Sequence, residues 1–186
     1  MLTLGSVGAS EYWEVETTGR YLASQYRDLS VSYVHSSSRR NLNDYDQFFG
    51  NFRNPIIRPD EHSLSSTDVP NRLIVRGTIG LVGKWVLSPL YEWRSGFPWS
   101  AVDEFQDFVG PRNRSGRLPN VSTFDFTLIR PWQFRKYHFS AGLKIYNLFD
   151  TGDERDVQNN VASPDYGRFY NPIERTIGFA ISTSRP

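Results

Sequence analysis

The 186 residues carry 21 Lys and Arg against 20 Asp and Glu, a net charge of +1, which argues against the clustered basic excess of a nucleic-acid binder. With no cysteine, disulfides, thiolate metal sites and a Cys nucleophile are excluded. The chain is 38% hydrophobic, with much of that in five Trp, ten Tyr and thirteen Phe, a β-favouring composition; its most apolar region, Leu73 to Leu90, is broken by Arg76 and Lys84 and falls short of the roughly 18 uninterrupted apolar residues of a membrane helix.

The opening stretch MLTLGSVGASEYW lacks the basic and apolar regions of a signal peptide, and the natural N-terminus is expected further upstream. Tyr12 to Ala23 reads as a weakly patterned strand, with Trp13 and Val15 on one face and Glu14 and Glu16 on the other. After a short turn at Ser24 to Asp28, Leu29, Val31 and Tyr33 alternate with serines through about Ser38. Arg39 to Asn71, rich in Asn, Asp and Pro, reads as a loop far beyond the usual length of about 4–6 residues. Leu73, Val75, Ile79 and Leu81 mark a strand ending near Val82 to Lys84, and Trp85, Leu87, Tyr91 and Trp93 mark the next. Ser95 to Asn120 is again loop. Phe124, Phe126 and Leu128 form a strand closed by a turn near Pro131 to Arg135. The clearest strand follows: Tyr137, Phe139, Ala141, Leu143 and Ile145 alternate strictly with His138, Ser140, Gly142, Lys144 and Tyr146. At about ten residues it has the length of a tilted strand crossing a bilayer, greasy on one face and wet on the other. Thr151 to Asn171 is a third long loop, and Ile173, Ile177, Phe179 and Ile181 mark a last strand.

Connections alternate short and long between seven strands. Outer-membrane barrels keep periplasmic turns short and extracellular loops long, whereas a soluble sandwich has no such parity. The expected fold is all-β: an antiparallel up-and-down meander of about seven strands, part of a transmembrane β-barrel in the outer membrane of a bacterial cell. Two other readings compete. A soluble β-sandwich that binds carbohydrate would share the aromatic-rich strands, and a small complete outer-membrane barrel serving as an adhesin or structural protein would need an eighth strand.

RSGFPWS (Arg94 to Ser100), GPRNRSGRLPN (Gly110 to Asn120) leading into STFDFTLIRPW, KIYNLFD (Lys144 to Asp150) and FYNPIERTIGFAIS resemble the C-terminal barrel region of TonB-dependent outer-membrane receptors, most of all those with an N-terminal carboxypeptidase-regulatory-like domain. The resemblance covers Val69 to Ser182 well and the first third loosely. It implies that residues 1–186 are the C-terminal part of a receptor that imports a bulky ligand, a metal chelate or glycan, through a barrel of about 22 strands with a plugged lumen. The implied partners are outer-membrane lipid, the rest of the barrel and its plug, the TonB complex through the missing N-terminal part, and the barrel-assembly machinery; no cofactor is implied. The family's usual C-terminal aromatic is replaced here, since AISTSRP follows Phe179. Alone, seven strands leave two open edges, so the chain is expected to aggregate or to insert by associating with other strands.

Enzymatic constellations are not found. His35, His62 and His138 are scattered, neither HExxH nor GxSxG occurs, and Asp150, Asp153, Glu154 and Asp156 lack the spacing of a calcium loop. The chain therefore reads as a transport component and not an enzyme. Arg94 to Gly96 read as strand-ending turn chemistry. The candidate ligand contacts lie in the second loop: Trp99, Phe105 and Phe108 offer aromatic faces for sugar rings, Asp103 a carboxylate, and Arg112 and Asn113 an anion site. The bland alternative is an interfacial aromatic girdle with solvated charges. Lys144, His138 and Asp125 are expected to face the lumen, and no metal site is expected.

Overall fold

A computed structural model describes residues 8–41 and 62–184, so part of the loop expected from Arg39 to Asn71 lies outside the described residues. Strands β1 (Ser10–Ser24) and β2 (Arg27–Arg40) form the first hairpin, and the two-residue β3 (Ser63–Leu64) pairs with the far end of β2. The second hairpin is β4 (Asn71–Gly80) and β5 (Val86–Arg94), joined through a 3-10 turn at Val82–Lys84. The connection that follows contains β6 (Pro98–Trp99) and β7 (Gly116–Arg117), which pair with each other. The third hairpin is β8 (Val121–Phe134) and β9 (Tyr137–Tyr146). A small ladder of β10 (Glu154–Val157) and β11 (Phe169–Pro172) precedes the last strand, β12 (Thr176–Ser184). The main sheet is an antiparallel meander ordered β1-β2-β4-β5-β8-β9-β12, and its two outer strands do not meet.

Three sequence expectations need correction. The turn expected near Pro131 to Arg135 is strand: β8 runs through Pro131 and turns at Arg135, whose φ is 55°. Pro131 is tolerated because β5 pairs with β8 only as far as Val86↔Ile129, so the end of β8 has a single neighbour and a missing N–H costs at most one ladder bond. Ile173 belongs to the loop and not to the last strand, because its N–H and C=O are bonded to Asp153 and Asn147. The second and third long connections are not irregular throughout, since each contains a short ladder.

Register places one side chain set on each face. Trp132 and Phe139, Leu128 and Leu143, and Phe126 and Ile145 stand opposite one another between β8 and β9; Ile177, Phe179 and Ile181 continue the row on β12. Toward the other edge the same face carries Leu87, Tyr91 and Trp93, then Leu73, Val75 and Ile79, then Leu29, Val31 and Tyr33. Among the described residues no second layer packs on it. Phe179 is 85% exposed, Ile181 84% and Tyr21 67%. Among the described residues the buried hydrophobic side chains are Ala101, Val102 and Val121, all at the long-loop end. The opposite face bears Glu14, Glu16, Ser30, Ser32, Arg72, Glu92, Thr127 and Lys144, which follows from the period of two.

The hairpins are staggered. Gly80 donates to the Tyr26 carbonyl in the first turn (2.7 Å), and pairs with Val86, which pairs with Ile129. At that level the second hairpin runs on to Gly83 and the third to Arg135, an overshoot of about three residues, roughly 10 Å, for every two strands, themselves about 9.6 Å wide. Such a shear corresponds to a strand tilt of roughly 45°.

Gly96 lets two loop backbones touch: an added Cβ would stand 1.8 Å from the Leu118 carbonyl oxygen. We expect Gly96→Ala to destabilise the 95–120 connection by about 2 kcal/mol or more, seen as faster amide hydrogen exchange there with the β8–β9 hairpin unchanged.

Candidate functional site

Among the described residues the buried polar side chains lie at the long-loop end of the sheet, where described parts of the connections fold onto one another. Asp68, 2% exposed, accepts from the Ser38 N–H (2.7 Å) and pairs with Arg117, which also donates to the Asp68 and Gly96 carbonyls. This ties the segment before β4 to β7. Val102 bridges Phe108 on one side and Asn160 on the other, and Asn159 donates to the Ser100 carbonyl, so the second and third connections are joined.

Several predicted contacts turn out to be part of this scaffold. Arg112 is 1% exposed; its guanidinium donates to the Arg40 carbonyl (2.5 Å), and its own carbonyl accepts from the Ser63 hydroxyl. Asn113 is buried in the left-handed conformation (φ 54°), which Asn tolerates better than most residues, and its amide donates to the Leu64 carbonyl. Its backbone N–H donates to Ser100 Oγ, which in turn donates to Asn113 Oδ1. Trp99 is half-buried edge-on to Tyr166, with ring centroids 5.9 Å apart, and Gly116 sits against its indole. Asp103 caps a turn, accepting from the N–H groups of Phe105 and Asp107 (2.9 Å each). Phe105 is exposed at that turn and Phe108 half-buried beside Val102. The six residues thus sit on one folded cap, where Arg112, Asn113 and Asp103 hold backbone.

Asp125, Lys144 and His138 stand on the polar face, opposite Leu90, Thr127 and Gln133 respectively. Asp125 accepts from the Asn147 N–H (2.8 Å). Asn147 is the knot of the KIYNLFD motif: it is 2% exposed, with φ 50°, and its amide donates to the carbonyls of Thr151 (3.1 Å) and Ile173 (2.7 Å). Asp150 accepts from the Arg175 N–H (2.8 Å), which links that motif to the FYNPIERT stretch. These partners lie 25 residues or more along the chain in the case of Ile173 and Arg175, so sequence reasoning missed the role of Asn147; its place just after a strand in a loop of turn-formers was the available signal.

A cleft of about 390 Å³ opens where the polar face meets the cap, lined by β1, β2, β4 and β5. Arg72 and Arg94 are directly paired across β4 and β5, and Arg72 Nε donates to Glu92 Oε1 (2.9 Å). The Arg94 guanidinium lies 4.4 Å from the Phe97 ring centroid. Across the cleft, Tyr12 donates to Glu14 Oε2 (2.5 Å), beside the Ser36 and Ser38 hydroxyls. Mixed charge, hydroxyls and aromatic rings suit a polyhydroxylated or zwitterionic ligand. The sequence does not display this cleft because it depends on strand register; only Arg94 stood out, as a strand end, and β5 does end there. Among the described residues no group of three or more His, Cys, Asp or Glu is placed to hold a metal ion. Searches of family models, curated proteins and solved structures find no match.

We expect Asn147→Asp to leave the Ile173 carbonyl without its donor, at about 1–3 kcal/mol, while the Thr151 carbonyl keeps the Asp153 N–H (2.7 Å), and to make the 147–175 connection the first site of limited proteolysis. Unchanged cleavage would contradict that role.

Proposed function

We propose that this chain is a barrel segment of a TonB-dependent outer-membrane receptor, a transport component that helps import a bulky ligand such as a metal chelate or glycan. The carrying observation is the uncovered apolar face, which runs across the main strands of one staggered sheet. Lipid is the solvent that such a face fits. Aromatic rings stand at both ends of it, Trp93, Tyr91 and Tyr33 toward the loops and Trp85, Trp132 and Tyr137 toward the turns. Trp85 and Trp93 are separated by roughly 26 Å along the strand, which at a tilt of roughly 45° is roughly 18 Å of height, within the band of about 25 Å that a membrane barrel presents.

Three further features support the reading. The turns at 25–26, 81–85 and 135–136 lie at one end, and the strand ends that lead into the three long connections, after β2, β5 and β9, at the other. The stagger supplies the shear that closing strands into a barrel requires. The motifs that resemble the receptor family fall where the loops enter and leave the sheet. A sandwich would need a second sheet against the apolar face, and the described residues provide none. β1 and β12 are edges, where further strands of a larger barrel would pair. The cleft at Arg72, Glu92 and Arg94 would face the lumen and meet the ligand.

The test compares two lysines at one depth on opposite faces, since Phe126 pairs with Pro89, midway between Trp85 and Trp93, and Thr127 with Ser88. After dilution from urea into phosphatidylcholine vesicles, Phe126→Lys should lower the floated, vesicle-bound fraction by about 2–4 kcal/mol in equilibrium terms, and Thr127→Lys should leave it unchanged. Equal effects of the two would refute a lipid-facing side.

A further inference from the structure

The turn end of the sheet is cationic as well as aromatic. Residues 20–30, 78–88, 128–140 and 180–184 hold Arg20, Arg27, Lys84, Arg130, Arg135 and Lys136, with Asp28 as the one acidic side chain. The whole chain is balanced at 21 to 20, so this is segregation of charge and not a general excess. None of the six forms an ion pair among the described residues, whereas Arg72 and Arg117 at the loop end do.

Their placement is specific. Arg27 and Arg130 lie in register with the apolar set: Arg27 is opposite Ile79, and Arg130 opposite Ala141. Lys84, Arg135 and Lys136 are in the turns themselves. Three of these cations lie over rings of the aromatic band: Arg130 over Trp85 (5.9 Å), Arg135 over Phe134 (5.5 Å) and Lys136 over Tyr137 (5.9 Å). With strands tilted at roughly 45°, the stagger of the hairpins brings their tips to one height, so these charges form a rim at the border of the apolar face. Beside Arg130 the small side chain of Ala141 leaves a groove between Trp132, Leu128, Phe179 and Ile181, apolar along its walls with Arg130 as the charged residue of its lining.

We infer that this rim is a binding surface for anionic phospholipid headgroups of the leaflet at the turn end, with acyl chains against the groove and phosphates at Arg130 and the turn cations. The inference rests on the lipid-facing reading of the sheet. An interfacial position favours cations near phosphates, at about 1 kcal/mol for each Lys or Arg, and aromatic rings favour the same depth. An arginine held away from both water and phosphate would be costly.

The test uses the full 186-residue chain, diluted from urea into phosphatidylcholine vesicles with or without phosphatidylglycerol. Binding should be at least about tenfold tighter with phosphatidylglycerol, and the difference should shrink as salt is raised. Joint replacement Lys84→Gln, Arg130→Gln, Arg135→Gln and Lys136→Gln should abolish the preference while leaving binding to phosphatidylcholine. Charge-conserving exchange of Lys for Arg and Arg for Lys at the four positions should retain it, which separates charge from folding. Equal binding of the unaltered chain to both lipids overturns the inference and leaves the membrane reading standing. A preference that survives the Gln variant also overturns it, and failure to bind either vesicle overturns both.

Discussion

A β-sheet satisfies its own backbone inside the ladder but cannot cover its own faces, and here one face is apolar across its main strands with nothing among the described residues packed on it. Moving a large apolar side chain out of water is worth about 1.5–3 kcal/mol, so a face of this size represents tens of kcal/mol. Whole domains are stable by only about 5–15 kcal/mol. Whatever covers this face therefore decides where the protein is folded, and the remaining features are arranged around that fact: aromatic rings bound the face at both ends, charges are pushed to its rims, and the hairpins are sheared.

The loop end follows a different rule. Its stability comes from polar groups joined across the chain, with Asp68 on Arg117, Arg112 on the Arg40 carbonyl, and Asn147 on the Thr151 and Ile173 carbonyls. Buried groups of this kind are costly when unpaired, and here they fasten three connections into one cap over the polar face. The cleft at Arg72 and Arg94 has a fixed wall as a result, because Ser36, which lines it, is itself bonded to the Val69 carbonyl. A ligand contact built on such a wall is held in place without help from the apolar face.

Strand existence and order were legible in the sequence because the signal is local. Tyr137 to Tyr146 alternates so regularly that its bounds were read as they are observed. Pro131 misled because proline usually breaks a ladder, and the fact that β8 outruns β5 at that point is a property of register. Ile173 misled for a related reason: it continues the aliphatic series of β12, but Asn147 holds its carbonyl in the loop. Within the candidate site the polar-face positions of Asp125, Lys144 and His138 followed from parity alone. Arg112 and Asn113 were read as ligand contacts because a charged loop motif resembles an anion site; their bonds to Arg40, Ser63 and Leu64 join distant segments and are not visible in the sequence. Charge segregation at the turn end escaped notice because the six cations are spread over three hairpins and meet only through the stagger.

The central claim is that the two faces of one strand meet two solvents, and the absence of native cysteine makes it directly measurable. Single cysteines placed along β9 in vesicle-associated protein would be exposed to a water-soluble maleimide. Labelling should alternate, fast at His138, Ser140 and Lys144 and blocked at Phe139, Ala141, Leu143 and Ile145. Uniform labelling along β9, or uniform protection, would contradict a sheet with lipid on one side and water on the other.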